Sequence, residues 1–326
     1  MKKIFLILFS GFLYFFVFKM TVTITENVVN YGKNVKGLYV TKINKDNILM
    51  NDGDNVLKYY YEPLPNTVVE ESQDWLDYTI TNRINTDSLN DRFDYSIIKD
   101  RDNFRIVTIG DSFTYGLFVK TGDNYPEKLE DFLNNKLECK NIKDFEVINL
   151  GSPGHDINYT INRFIKRGIK YNPDLVIWLI QDFNFDVIME FVLPLMMRPD
   201  LKDLPGFDAQ TNSYPIWDSV RKEMDKKYSE TERLDYHRAA LFNLKKYFSG
   251  KILFLVFTNI DNKYKKIVDD FVSGRPDTYI FPVTEVSEIE KYKFPDRHPN
   301  EEGHKKIASE VFDYLTENHF QDCKRI

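Results

Sequence analysis

From about residue 104 the chain alternates between two patterns. Phe104–Ile109, Phe145–Leu150, Leu175–Ile180 and Ile252–Phe257 are short, nearly unbroken apolar runs of the length of buried strands. Between them lie longer stretches in which apolar residues return every three or four positions. Tyr125–Leu137, with Leu129, Phe132 and Leu133 on one face, shows this helical spacing. Ile157–Ile169, Leu234–Phe248, Tyr264–Val272 and Glu301–Leu315 also read as helices, and Thr278–Phe281 as a further short strand. Strand and helix in alternation predict an α/β fold: a parallel sheet with helices on both faces. Ligands of such sheets bind beyond the carboxyl ends of the strands.

Three stretches depart from this rhythm. Residues 186–233 carry Pro194, Pro199, Pro205 and Pro215 and the apolar segment Phe191–Met197, and are expected to form an insertion over the site. Residues 21–100 hold β-like runs at Thr21–Val29, Gly37–Ile43 and Asn55–Tyr61, separated by turn residues such as Asn51-Asp52-Gly53-Asp54. They predict a small β-rich region ahead of the main domain at 101–320. Residues 1–20 begin with Lys2 and Lys3 and continue in an apolar run from Ile4 to Phe18, broken only by Ser10 and Gly11. That is the pattern of an export signal. The residues after it lack a small-x-small cleavage pattern, and no cysteine follows for lipid attachment. An uncleaved membrane anchor is therefore expected over a cleaved signal peptide, with the two lysines inside and the main domain outside the cytoplasm.

Composition narrows the partners. The 326 residues carry a formal net charge of −6 and no basic run, which argues against nucleic acid. The two cysteines, Cys139 and Cys323, lack the spacing of a zinc site. A disulfide between them stays open from sequence, with unpaired thiols the commoner outcome. No metal-ligand cluster and no nucleotide-binding loop is visible, so no cofactor is expected.

The chemistry concentrates in two places. Gly110-Asp111-Ser112-Phe113-Thr114-Tyr115-Gly116 follows the strand ending at Ile109. A serine there sits at a strand's carboxyl end, where the unpaired N–H groups of a starting helix face a bound anion. It can attack a carbonyl while its own N–H stabilises the oxyanion. The same residues would also serve as a plain helix cap. The second place is Asp296-Arg297-His298-Pro299-Asn300. Pro299 pushes His298 toward extended backbone, in which residues two apart face one side. Asp296 could then hold one imidazole nitrogen and leave the other to activate Ser112. Of the other histidines, His155 is a candidate for the site wall without a catalytic role. His304 is expected to face solvent or to pack near the helix start, and His237 and His319 to lie at the surface. Asn149–Gly154 and Asp182-Phe183-Asn184 follow strands at the same sheet edge and are weaker signals.

In this order, Gly110-Asp111-Ser112-Phe113, Asn149 to Gly154, Asn184, and Asp296 with His298 resemble the sequence blocks of the SGNH (GDSL) hydrolases over roughly residues 104–316. The resemblance implies a flavodoxin-like α/β/α sandwich, Ser112 as nucleophile, His298 as base and Asp296 as its acid. It further implies an oxyanion hole from the Ser112 N–H, the Gly154 N–H and the Asn184 amide. Two positions depart from the pattern. Asp182 stands where the third block commonly begins with glycine, and the acid lies two residues before the histidine rather than three. The second departure is similar to SGNH-type polysaccharide O-acetyltransferases. The expectation is an exported serine esterase acting on small acyl esters of carbohydrate or other envelope components. The alternatives are an O-acyltransferase acting on an extracellular polysaccharide and, from another class, an inactive envelope-binding module.

Overall fold

Residues 38–42, 57, 59–196, 198–202, 204, 208, 211, 213–320 and 322–326 are described by the structure, a computed structural model. The expected strand Thr21–Val29 and the expected signal or anchor at 1–20 lie outside these residues. No helix among the described residues is long and apolar enough to cross a membrane.

The described chain opens with two antiparallel pairs: β1 (Leu38–Lys42) with β2 (Tyr59–Pro63), and β3 (Val68–Glu71) with β4 (Ile80–Arg83). The main domain then alternates as its apolar pattern requires. β5 (Asn103–Ile109) leads into the single turn α1 (Ser112–Tyr115) and the helix α2 (Tyr125–Lys136). A short β6 (Leu137–Cys139), β7 (Asp144–Asn149) and α3 (Ile157–Arg163, wound on through Tyr171) follow, then β8 (Leu175–Ile180). After a helical excursion come α8 (Glu230–Tyr247), β9 (Lys251–Phe257), α9 (Asn262–Val272), β10 (Thr278–Val283) and α10 (Glu301–Asn318). The excursion consists of α4 (Phe183–Asp186), α5 (Met189–Met196), α6 (Pro199–Lys202) and α7 (Pro215–Lys227). α8 starts four residues before the apolar spacing alone suggests, because Ser229 and Glu232 form a reciprocal capping box.

Five strands form one parallel sheet in the order β7-β5-β8-β9-β10. The chain begins inside the sheet at β5, goes to one edge, and returns to build the other side from β8. The carboxyl ends of β5 and β8 therefore flank the point where the winding reverses, the place where doubly wound sheets leave a crevice. Alternate residues of each strand feed two apolar layers. Val107, Ile109, Val176, Trp178 and Phe254 pack toward α3, α8 and α9. Ile106, Ile177, Leu253 and Leu255 pack with Leu129 and Leu133 of α2 and Ile307 and Val311 of α10.

A third, smaller core joins the N-terminal strands to the excursion: Tyr60 and Tyr61 of β2 pack with Val192, Leu193, Val220 and Met224. Glu62, fully buried, pins this assembly to α3 through Arg163 at 3.0 Å and Lys166 at 3.0 Å, with Arg167 closing the cluster. Burial alone would raise the Glu62 carboxyl, but these cations outweigh it and hold it well below the usual range. The consequence is positional: Tyr61, next in the strand, is delivered to the loop after β7.

Cys139 and Cys323 are disulfide-bonded, which replaces the expectation of unpaired thiols. The bond joins β6 to the C-terminal strand β11 (Cys323–Arg325), which pairs with it antiparallel. Residues 184 positions apart could not be matched from local sequence. A cross-link closing so long a loop restricts the unfolded chain strongly. Cys139→Ser should lower unfolding stability by about 2–4 kcal/mol, measured by urea denaturation. An unchanged urea midpoint would contradict this.

Candidate active site

The β5 strand ends at Ile109 and the chain turns sharply. Gly110 makes the turn at φ 153°, with Thr114 Oγ1 only 2.3 Å from where a Cβ would stand, so a side chain is excluded there. Asp111 caps the following helical turn, its Oδ1 accepting the Phe113 N–H at 3.0 Å. The capping and nucleophile readings of this segment are thus compatible: Asp111 caps, and Ser112 is left at the first helical position. The Ser112 Oγ lies 2.9 Å from His298 Nε2. His298 Nδ1 lies 2.8 Å from Asp296 Oδ2. A carboxylate only accepts, so Nδ1 carries the proton and Nε2 accepts from the serine hydroxyl. The geometry brings Ser112 and the Asp296–His298 pair, 186 positions away in sequence, into one relay.

The local backbone reaches that relay by a different route than extended β geometry. Arg297, between acid and base, has φ 72°, in the left-handed region. This folds the chain so that the Asp296 carboxylate receives both the His298 N–H, at 3.1 Å on Oδ1, and the His298 ring on Oδ2. Phe294 N–H donates to the His298 carbonyl at 2.8 Å and closes the turn. Asp296 is buried, and burial raises its carboxyl. The His298 charge and the hydrogen bonds from His298 and Tyr214 more than compensate, so it sits below its ordinary value. Tyr214, in the excursion just ahead of α7, donates to Asp296 Oδ2 at 2.6 Å. Sequence reasoning did not find this contact, because nothing in a lone tyrosine 82 positions away marks it.

Of the expected oxyanion donors, Gly154 lies in the cavity wall at φ 75°, and neither its N–H nor that of Ser112 has a hydrogen-bond partner among the described residues. Asn184 is placed differently from expectation. It is fully buried and off the cavity wall; its amide donates to Asp111 Oδ2 at 3.0 Å and to the His155 carbonyl at 3.1 Å. Its Oδ1 accepts the Gln181 N–H at 2.9 Å. The reason is the single turn of helix after β8, which winds Asn184 inward and leaves Gln181 at the strand tip. Gln181 lines the cavity instead, and its Nε2 donates to Asp111 Oδ2 at 2.5 Å. A close reading of Leu179-Ile180-Gln181-Asp182 as strand end plus amide could have flagged it. Gln181→Leu should lower kcat by about 10²–10³ with little change in unfolding. Asn184→Leu should instead destabilise the corner, since it strands the buried partners of three hydrogen bonds. Equal turnover in Gln181→Leu and wild type would return the donor role to Asn184.

The other histidines serve packing. His155 is buried, with Nε2 3.2 Å from the Tyr61 carbonyl, and burial pushes it down to about 3. His304 accepts the Tyr125 N–H at 3.2 Å and is likewise buried. His237, expected at the surface, is fully buried against the Phe185 and Tyr236 rings. Among the described residues no group of three or more His, Cys, Asp or Glu could hold a metal ion.

The relay opens into a cavity of about 1000 Å³. The wall is shared by the sheet edge, the N-terminal strands and the excursion, with Tyr61, Glu71, Phe118, Met189, Leu193 and Trp217 among its residues. Glu71, at the end of β3, accepts the Phe118 N–H at 2.6 Å. Burial pushes its carboxyl up to about 7, against the hydrogen bonds and the His298 charge that pull it down. A carboxyl raised on folding supplies stability that is present below its unfolded value of about 4.3 and lost as pH rises through 7. Glu71→Gln keeps a neutral side chain at every pH. Its thermal midpoint relative to wild type should therefore rise between pH 5 and pH 8; the same difference at both pH values would contradict the assignment.

Fold and site together define a serine–histidine–aspartate triad at the switch point of a doubly wound parallel sheet. No family model matches the chain, and no curated protein matches it. Solved structures similar to it include a lipase/acylhydrolase from Enterococcus faecalis, 12% identical over 66% of this chain and 96% of that one, with a TM-score of 0.40. A catalytic mutant of an acetylxylan esterase from Geobacillus stearothermophilus is 17% identical over 68% and 96% of the two chains, with a TM-score of 0.42. A family 3 carbohydrate esterase from Clostridium thermocellum is 15% identical over 66% and 96%, with a TM-score of 0.38.

Proposed function

We propose that the protein is a serine-dependent ester hydrolase of the SGNH type. One observation carries the reading: Ser112 Oγ is 2.9 Å from His298 Nε2 while Asp296 holds the opposite ring nitrogen, at a strand end where the Ser112 and Gly154 N–H groups stand unpaired. His298 takes the Ser112 proton as Oγ attacks the acyl carbonyl carbon. The negative charge on the carbonyl oxygen is met by the two N–H groups and the Gln181 amide. His298 then gives its proton to the departing alcohol oxygen, leaving acyl-Ser112. Water, deprotonated by His298, attacks this ester and releases the acid. The alcohol is proposed to be a hydroxyl-bearing carbohydrate or other envelope component, met outside the cytoplasm by a chain carried there by residues 1–20.

A second reading, O-acyl transfer, is favoured by the two-residue spacing of Asp296 and His298. It shares the first half-reaction and differs in the acceptor, a sugar hydroxyl in place of water. Incubation of the purified chain with a p-nitrophenyl ester, with and without an oligosaccharide, separates the two. Release of p-nitrophenol with free acid as the only acyl product supports the hydrolase, and acylated oligosaccharide supports transfer. Neither product would leave the binding-module alternative.

A further inference from the structure

We propose that the wall contributed by β2, α4, α5 and α7 is an acyl subsite, and that the acyl group this enzyme removes is an apolar chain longer than acetyl. The inference rests on Ser112 being the nucleophile and deepens that reading.

Reaction geometry assigns the directions. The carbonyl oxygen must lie at the Ser112 and Gly154 N–H groups, and the alcohol oxygen must lie at His298 Nε2 to receive its proton. The acyl chain extends from the carbonyl carbon away from His298 Nε2, along the wall that continues past Gly154. What stands on each side differs in chemistry. Around His298 the wall is mixed: Glu285, Glu288 and Arg297, the last paired to Glu288 at 3.4 Å, stand beside the Phe113 and Phe118 rings that pack on the imidazole at 5.4 and 5.5 Å. Beside Gly154 it is aromatic and aliphatic. A Cβ built on Gly154 would stand 2.9 Å from the Tyr61 hydroxyl and 3.8 Å from Trp217 Cζ2. The Phe183 ring meets Trp217 edge-on at 5.1 Å, and Met189, Leu193 and Met196 continue the same apolar surface along the cavity. This surface is the cavity-facing side of the third core. Its methionines can fit chains of differing shape. An acetyl group would leave most of it facing water, whereas a chain of several methylenes would cover it.

The test is a series of p-nitrophenyl esters from acetate to octanoate, which holds the alcohol constant and varies only the acyl chain. Each methylene bound against this wall is worth about 0.8 kcal/mol, or about fourfold in kcat/KM, as an upper estimate. The expected ratio of hexanoate to acetate kcat/KM is ten or more. Met196→Trp, which fills the wall from a half-buried position, should lower that ratio at least fivefold, and Trp217→Ala should lower it in the same direction. Rates are referred to the serines titrated by a fluorophosphonate, so a misfolded fraction does not enter. A wild-type ratio at or below one, or a ratio unmoved in both variants, would overturn the acyl subsite while leaving the esterase reading intact. No turnover of any ester, together with no labelling of Ser112, would overturn both.

Discussion

Ser112→Ala should remove about four to six orders of magnitude of kcat and leave the fold unperturbed. The serine is buried, and among the described residues the hydrogen bond of its Oγ is to His298 Nε2 at 2.9 Å, so its loss empties one hydrogen bond. Without Oγ there is no atom to carry the acyl group, and His298 can at best act on water. His298→Ala should cost nearly as much, because the serine proton then has no acceptor. The double variant should be no worse than either single one, since the two groups act as a unit. Turnover of a p-nitrophenyl ester, measured alongside urea unfolding, checks this. Additive losses would show that the two residues act in separate steps.

Asp296→Asn is expected to cost less than loss of Ser112 or His298, about 10⁴ in kcat. Asp296 Oδ2 accepts from both His298 Nδ1 and Tyr214, and Oδ1 accepts the His298 backbone N–H. An asparagine turned to keep an oxygen on the backbone N–H presents its NH₂ to the ring. The ring then takes the opposite tautomer, with Nε2–H pointing at the serine it should deprotonate. The charge that would stabilise the imidazolium is also gone. The carboxyl's depressed value adds a sign to the pH behaviour. A lowered acid contributes stability above its unfolded value of about 3.9, and that contribution is lost as pH falls through the folded value. The triad acid should therefore stay ionised through the neutral range and protonate only under strongly acidic conditions. Asp296→Asn should flatten the acid side of the stability profile below about pH 4. Wild-type turnover in this variant would remove Asp296 from the relay.

How legible these features were depended on the distance over which they are decided. The strand–helix alternation is a local property, so β5, β7, β8 and β9 and their intervening helices stand within a few residues of where apolar spacing puts them. Ser112 and His298 were legible for the same reason: each sits in a short segment whose turn chemistry is its own. The spacing of Asp296 and His298 was read rightly as a contact but wrongly as extended backbone, because a left-handed arginine at 297 has no sequence marker of the kind that glycine supplies. The exchange of Asn184 for Gln181 at the cavity was hidden for a related reason. Which amide faces outward depends on whether the chain after β8 stays extended or winds at once into a helix, and Asp182-Phe183-Asn184 permits either. His237 looked like a surface residue because Arg233, Asp235 and Arg238 stand close to it in sequence; the packing of Phe185 and Tyr236 against it shows otherwise. The Cys139–Cys323 bond and the Tyr214–Asp296 contact join segments 184 and 82 positions apart, and no local signal encodes such pairs.

The central claim, that Ser112 forms a covalent acyl intermediate under His298 and Asp296, is tested most directly by mass spectrometry of the protein after reaction with a fluorophosphonate. One adduct per chain is predicted, mapped to the peptide containing Ser112, absent in Ser112→Ala and greatly slowed in His298→Ala. An unmodified protein, or an adduct that persists in Ser112→Ala, would contradict it.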